Sequence, residues 1–224
     1  MPKVLAFDVY GTLIDTHGVV IKLREFVGDE AEEFSRAWRE KQLEYSFRRG
    51  LMRSYETFGV CTSQALDYTD AWLDTGLATD QKAALLAGYL SLPVFDDAKE
   101  SLAGLKSDGH SLYAFSNGVA DAVETLLTTA GIRGLFDGVV STDDLQTFKP
   151  NPDVYEHLLK TTGASAGDAW LISSNPFDVI GAVSYGLRSA WVQRSAKSTF
   201  DPWGIDPTIK ITSLRELAGG IASL

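Results

Sequence analysis

Short apolar runs recur along the chain, and each ends on small or polar residues. Val4 to Phe7 runs into Asp8, after which Gly11 and Thr12 break the pattern; Ser111 to Phe115 runs into Ser116-Asn117-Gly118. Gly138 to Val140 leads to Ser141-Thr142, Trp170 to Ile172 leads to Ser173-Ser174-Asn175, and Ser189 to Val192 completes the series. Runs this short, bounded by turn residues, read as buried strands. Between them, Val119 to Ala130, Pro152 to Thr162 and Pro176 to Tyr185 show helical periodicity. Alternation of this kind predicts parallel strands joined by right-handed crossover helices, hence a doubly wound α/β sheet covered on both faces. Ligands bind such sheets beyond the carboxyl ends of the strands. Asp8, Ser116 and Ser173 each follow a predicted strand, so all three should collect on one edge.

The segment from about Thr16 to Leu92 has a different pattern. It lacks strand-like runs and is rich in helix formers and aromatic residues, among them Phe34, Trp38, Tyr45, Phe47, Tyr55, Phe58, Tyr68 and Trp72. It leaves the core beside Asp8 and returns near Pro93, which predicts a helical cap over the strand ends. The expected organisation is a core domain of residues 1–15 and 93–224 with a cap at 16–92. A cap there can exclude water from the site.

Composition narrows the partners. At 224 residues, 45% hydrophobic and 22% charged, the chain is long enough for one sizeable core with an inserted domain. Its formal charge of −10 repels phosphate backbones and anionic membranes, and no Lys/Arg run offsets this, so neither nucleic acid nor a membrane is an expected partner. An anionic substrate would need a few well-placed cations, a workable arrangement because charges screen over about 8 Å at physiological salt. Cys61 is the only cysteine, so no internal disulfide forms. With no signal pattern at the amino terminus and no apolar stretch of membrane-spanning length, a cytoplasmic protein is expected. His17, His110 and His157 show no ligand spacing and are assigned no catalytic role.

Four motifs follow one another along the chain: Asp8-Val9-Tyr10-Gly11-Thr12, Ser116-Asn117, Phe148-Lys149-Pro150, and Ser173-Ser174-Asn175-Pro176-Phe177-Asp178. In this order the sequence resembles the haloacid dehalogenase superfamily, a Rossmann-like α/β core carrying an inserted cap. It departs from the superfamily's phosphatases, which carry D-x-D-x-T and a G-D-x-x-x-D loop; Tyr10 stands for the second Asp of the first motif and Ser174 for the loop Asp. Magnesium relies on carboxylates to complete near-octahedral coordination, and a phenol with a reference pKa near 10 cannot replace a carboxylate acid/base. No metal or cofactor is therefore expected. These replacements, together with Trp38-Arg39-Glu40-Lys41-Gln42-Leu43-Glu44-Tyr45, resemble the L-2-haloacid dehalogenase branch.

The resemblance implies that Asp8 displaces halide from a short 2-haloacid and that water then hydrolyses the resulting ester. It implies support of Asp8 by Thr12 and Ser173, charge balance by Lys149, and catalytic roles for Asn175, Asp178 and Tyr155, the last two holding Lys149 and the hydrolytic water. Arg39 and Asn117 would receive the halide, and Ser116 would bind the substrate carboxylate. Tyr10, Leu43, Phe58 and Phe177 would form the apolar wall, with Phe177 standing where better known members often carry Trp. Inversion would convert an (S)-2-haloacid into an (R)-2-hydroxyacid. Asp178 is the preferred base for water and Lys149 its competitor. A phosphatase with another metal cage and a carboxylate-binding protein without turnover are the alternative functions. Because the family is commonly dimeric, a homodimer is among the expected assemblies.

Overall fold

The computed structural model describes residues 2–223, and among them the strands form one parallel sheet. Its strands are β1 (Val4–Asp8), β2 (Ser111–Ser116), β3 (Gly138–Ser141), β4 (Ala169–Ser173), β5 (Arg188–Val192) and β6 (Ile209–Ile211), in the order β3-β2-β1-β4-β5-β6. The doubly wound sheet expected from the sequence is present, and β6 extends it at one edge. Three residues interrupted by Lys210, after a long irregular stretch, give too weak an apolar run to read as a strand beforehand.

Side-chain alternation explains why both faces are covered. Leu5 and Phe7 of β1, Leu112 and Ala114 of β2, and Trp170 and Ile172 of β4 join one apolar cluster. Ala6, Phe115, Ala169 and Leu171 join a second cluster on the opposite face. Strands buried on both faces are apolar throughout rather than alternating. After β1 the chain forms α1 (Val19–Val27), α2 (Ala31–Met52), α3 (Phe58–Leu73) and α4 (Thr79–Gly88). The core resumes with α5 (Ala98–Ser107), α6 (Ala120–Thr129), α7 (Pro152–Thr162), α8 (Pro176–Tyr185) and α9 (Leu217–Ala222). Helices α5, α6 and α9 cover the first face with Leu102, Leu105, Val123, Leu126 and Leu217, while α7 and α8 cover the second with Val154, Tyr155, Leu158 and Ala182.

Local chemistry sets the helix limits. In α7 the Asn151 side chain accepts from the Asp153 N–H, Pro152 takes the first turn, and Gly163 ends the helix at φ +68°. Helix α5 was not legible, since its buried face consists of Ala98, Leu102 and Leu105 alone and Gly104 interrupts it. The helical insert leaves and rejoins the core through paired backbone: Asp15 N–H donates to Pro93 O at 2.8 Å and Phe95 N–H to Leu13 O at 2.9 Å. Gly18 packs on this seam, where a Cβ would lie 2.5 Å from Pro93 Cδ. Among the described residues no helix is long and apolar enough to cross a membrane.

The chain order reverses between β1 and β4, which makes the crevice beside the end of β1 the place where such sheets bind ligands. Asp8, Ser116 and Ser173 close β1, β2 and β4 at that edge.

Candidate active site

Asp8 ends the central strand, and its two carboxylate oxygens are held differently. Oδ2 accepts from Thr12 Oγ1 at 2.8 Å, Ser173 Oγ at 3.1 Å and Asn175 Nδ2 at 2.7 Å. Oδ1 faces the ammonium of Lys149 at 3.1 Å. The residue is only 8% exposed, so these donors replace most of its water. The hydroxyl of Thr12 in turn accepts from Ser174 N–H, while Ser174 Oγ donates to Gly11 O, each at 2.8 Å. Gly11 sits at φ +86°, a conformation that tolerates no Cβ without strain. Arg194 donates to the carbonyl of Thr12 and pairs with Asp97, which fixes the loop from its far side.

Asn175 shows what this arrangement costs locally. It occupies the N-cap of α8, yet its side chain makes no capping bond and its Nδ2 donates to Asp8 and to Tyr10 O instead. A cap is worth about 1 kcal/mol. Pro176 at the first position of the helix lowers the demand for one, having no N–H to satisfy.

Lys149 is buried, with all three ammonium protons placed: on Asp8 Oδ1, on Asp178 Oδ2 at 2.8 Å and on Phe115 O at 2.9 Å. The Phe115 ring lies 4.1 Å from the same nitrogen. Burial pulls the lysine pKa down, but the carboxylates of Asp178 and Asp8 outweigh it and leave it raised, so the group stays charged. Asp178 is wholly buried; burial pushes its carboxyl up to about 6, against the pull of Lys149 and with the help of the Asp8 charge. Tyr155 Oη donates to Asp178 Oδ1 at 2.9 Å and to its carbonyl at 3.1 Å. Burial, then the charge of Asp178, raises the phenol well above its ordinary value and keeps it a donor. It reaches Lys149 only through Asp178.

This donor set does not fit magnesium. Among the described residues no three His, Cys, Asp or Glu side chains converge as a metal site. An ammonium already bridges Asp8 and Asp178, and the hydroxyl proton of Ser174 is committed to Gly11 O.

The other predicted residues surround this cluster. Asn117 Oδ1 accepts from Lys149 N–H at 2.9 Å and Thr142 Oγ1 at 3.2 Å, which fixes its amide so that the NH2 is the group left to donate. Ser116 Oγ accepts from Gly118 N–H at 3.0 Å and keeps its own proton to give. From the cap, Arg39 on α2 reaches the loop after β1 at Tyr10 O, 3.4 Å away. The Tyr10 ring packs against Phe58, centroids 6.1 Å apart, and burial raises its phenol to about 12, so it is neutral wall rather than acid or base. Leu43 is half-buried on α2 and packs on the shared apolar cluster. Phe177 stands apart from the polar network; it meets Phe47 of α2 edge to face at 5.0 Å and lines a cavity of about 490 Å³ that also touches Lys149.

A family model for haloacid dehalogenase-like hydrolases matches residues 2–186. The chain belongs to this family of hydrolases. Among its relatives, the (S)-2-haloacid dehalogenase of Pseudomonas sp. (strain YL) is 36% identical over 213 residues, spanning 95% of this chain and 91% of that protein. Haloacetate dehalogenase H-2 of Moraxella sp. (strain B) is 32% identical over 209 residues, 93% of each. The structure of L-2-haloacid dehalogenase from Xanthobacter autotrophicus matches with a TM-score of 0.93 at 29% identity over 100% of both chains, and that protein has also been solved with chloropropionic acid covalently bound.

Several residues of this haloacid dehalogenase-like hydrolase that shape the site were not singled out in the sequence. Gln42 was visible only as one letter of the cap helix, and Phe47 as one aromatic among many. Gly181 carried no signal, because its reason is a contact: a Cβ there would lie 2.3 Å from Tyr155 Oη and 2.7 Å from Pro150 Cβ. Gly181→Ala is expected to destabilise the protein by about 1–3 kcal/mol in urea unfolding through overpacking. Adding Tyr155→Phe removes the nearest clashing atom but leaves Pro150 Cβ, so it should recover part of that loss; strictly additive losses would contradict the contact with the tyrosine oxygen.

Proposed function

We propose that this hydrolase converts short (S)-2-haloacids into (R)-2-hydroxyacids and halide through an ester on Asp8, without a metal. The observation that carries the reading is the buried carboxylate of Asp8, held by neutral donors on one oxygen and a lysine ammonium on the other, where a phosphatase would need a second carboxylate and a cation. The relatives named above support it. We read residues 16–92 as the cap, a division supported by the paired backbone at Leu13–Asp15 and Pro93–Phe95.

A carboxylate in water is a weak nucleophile, so the site must strip its hydration and aim it. Near-attack positioning is worth roughly 7–11 kcal/mol in general. Ser116 and neighbouring backbone amides hold the substrate carboxylate, which turns C2 toward Asp8. An Asp8 oxygen attacks C2 from the side opposite the halogen; the C–O bond forms as the carbon–halogen bond breaks, and the halide leaves with its electron pair toward Arg39 and Asn117. Each preorganised donor on developing charge contributes about 3–4 kcal/mol. Tyr10, Leu43, Phe58 and Phe177 keep bulk water away during this step.

Water then gives a proton to Asp178 and attacks Cγ of Asp8. The bond from Cγ to the ester oxygen breaks, the departing alkoxide takes the proton from Asp178, and one proton is released as Asp8 ionises again. Of the two candidate bases, Asp178 suits this role because its carboxyl is pushed up to about 6, close to working pH. Lys149 has every proton engaged and a raised pKa, which makes it a fixed cation. The hydrolytic water and a homodimeric assembly belong to the same reading.

Halide release is expected from (S)-2-chloropropionate and chloroacetate, not from (R)-2-chloropropionate, with no loss in chelator, and Asp8→Asn should abolish it. No release from any of these, or magnesium-dependent turnover of an aryl phosphate, would contradict the reading. Ester hydrolysis carries a separate expectation. Asp178 must be ionised to act as base, so decay of the ester rises with pH. In the ester the Asp8 charge is gone and one cause of the raised carboxyl with it, which puts the midpoint at or below about 6. Rapid-quench decay that stays flat between about pH 4 and 7 would exclude Asp178 as the base.

A further inference from the structure

Arg39 is a half-buried guanidinium that forms no salt bridge among the described residues. Its contacts are both neutral, Gln42 Oε1 at 2.7 Å and Tyr10 O at 3.4 Å. Gln42, three residues further along α2, is 0% exposed. Its orientation is forced from the neighbouring helix. Thr62 on α3 donates its hydroxyl proton to Phe58 O at 2.8 Å, so the Thr62 oxygen is left to accept. Gln42 Nε2 donates to that oxygen, and this turns Oε1 toward Arg39. Both the oxygen and the nitrogen of the buried Gln42 amide thus have a partner, as burial requires.

The type of acceptor matters as much as its position. A buried carboxylate beside Arg39 would neutralise the guanidinium and hold it tightly, whereas an amide oxygen aims it and leaves its charge unspent. The protein has acids to spare, thirty Asp and Glu against twenty Lys and Arg, yet an amide stands here. We infer that Gln42 is a positioning residue for Arg39: it fixes the guanidinium against the nucleophile loop through a neutral bond, so that the full positive charge meets the departing halide. This rests on the role given to Arg39 under the proposed function.

Chloride leaves carbon less readily than bromide, so a chloro substrate depends more on a cation at the halide. Gln42→Glu keeps the shape and gives Arg39 an anionic partner. Single-turnover halide release from (S)-2-chloropropionate should fall by on the order of 10- to 100-fold, and release from (S)-2-bromopropionate by less, so that the bromo-to-chloro rate ratio rises severalfold. Equal slowing of both substrates, or none, overturns the inference, because a merely structural defect would not discriminate between leaving groups. Thr62→Val, which removes the acceptor that orients the amide, should move the ratio in the same direction and carries the test if the glutamate variant does not fold. Crystals soaked in bromide supply a readout free of turnover: an anomalous peak against Arg39 in the unsubstituted protein, weakened or lost in Gln42→Glu. Equal peaks, or no peak in either, also overturn it. If the unsubstituted protein releases no halide from any 2-haloacid, the functional reading fails, and the bromide comparison still decides whether Gln42 governs an anion site.

Discussion

One ammonium group, Lys149 Nζ, lies between the carboxylates of Asp8 and Asp178 and is, among the described residues, the only cation in contact with either. Two buried carboxylates this close to a common point repel each other and resist ionisation. The lysine relieves that repulsion, yet one negative charge remains unbalanced across the three groups. Burial and the neighbouring Asp8 charge accordingly raise the Asp178 carboxyl to about 6, against the pull of Lys149. Removing one partner from a buried pair of this kind typically costs about 3–5 kcal/mol, so the arrangement is a structural commitment as well as a chemical one.

The surrounding structure serves that triad. Gly181 lets Tyr155 reach Asp178, Asn175 leaves its helix uncapped to donate to Asp8, and Ser174 ties the loop after β4 to the loop after β1. Two strand ends separated by most of the chain thereby act as one rigid edge. The cap completes the enclosure with Arg39, Phe58 and Phe47, each resting on a core residue of the site: Tyr10, Tyr10 again, and Phe177. In the core the cationic partner is consumed by carboxylates, whereas in the cap the cation is held by neutral groups. One positive charge is spent on two carboxylates, and the other meets no anion among the described residues.

Much of this was legible in the sequence, and the gaps have physical causes. Strands β1 to β5 announced themselves because burial on both faces demands unbroken apolar runs, and α6, α7 and α8 because each carries a helical repeat of apolar positions. Strand β6 and helix α5 carry too few apolar positions to stand out. The triad residues were found through motifs, since chemistry fixes their identity and their place after each strand. Gln42 and Gly181 escaped because their reasons are contacts, with a side chain on the next turn in one case and a tyrosine oxygen in the other. Phe47 is similar: helical spacing marks it as buried, but only the folded chain sets it against Phe177.

The account stands on Asp8 bonding directly to carbon and being regenerated by water at its own carbonyl. A single turnover in heavy-oxygen water, followed by mass analysis of the peptide carrying Asp8, measures this most directly. The label should enter that aspartate first and reach the hydroxyacid only in later turnovers. Label appearing in the product during the first turnover, with none in the peptide, would contradict it.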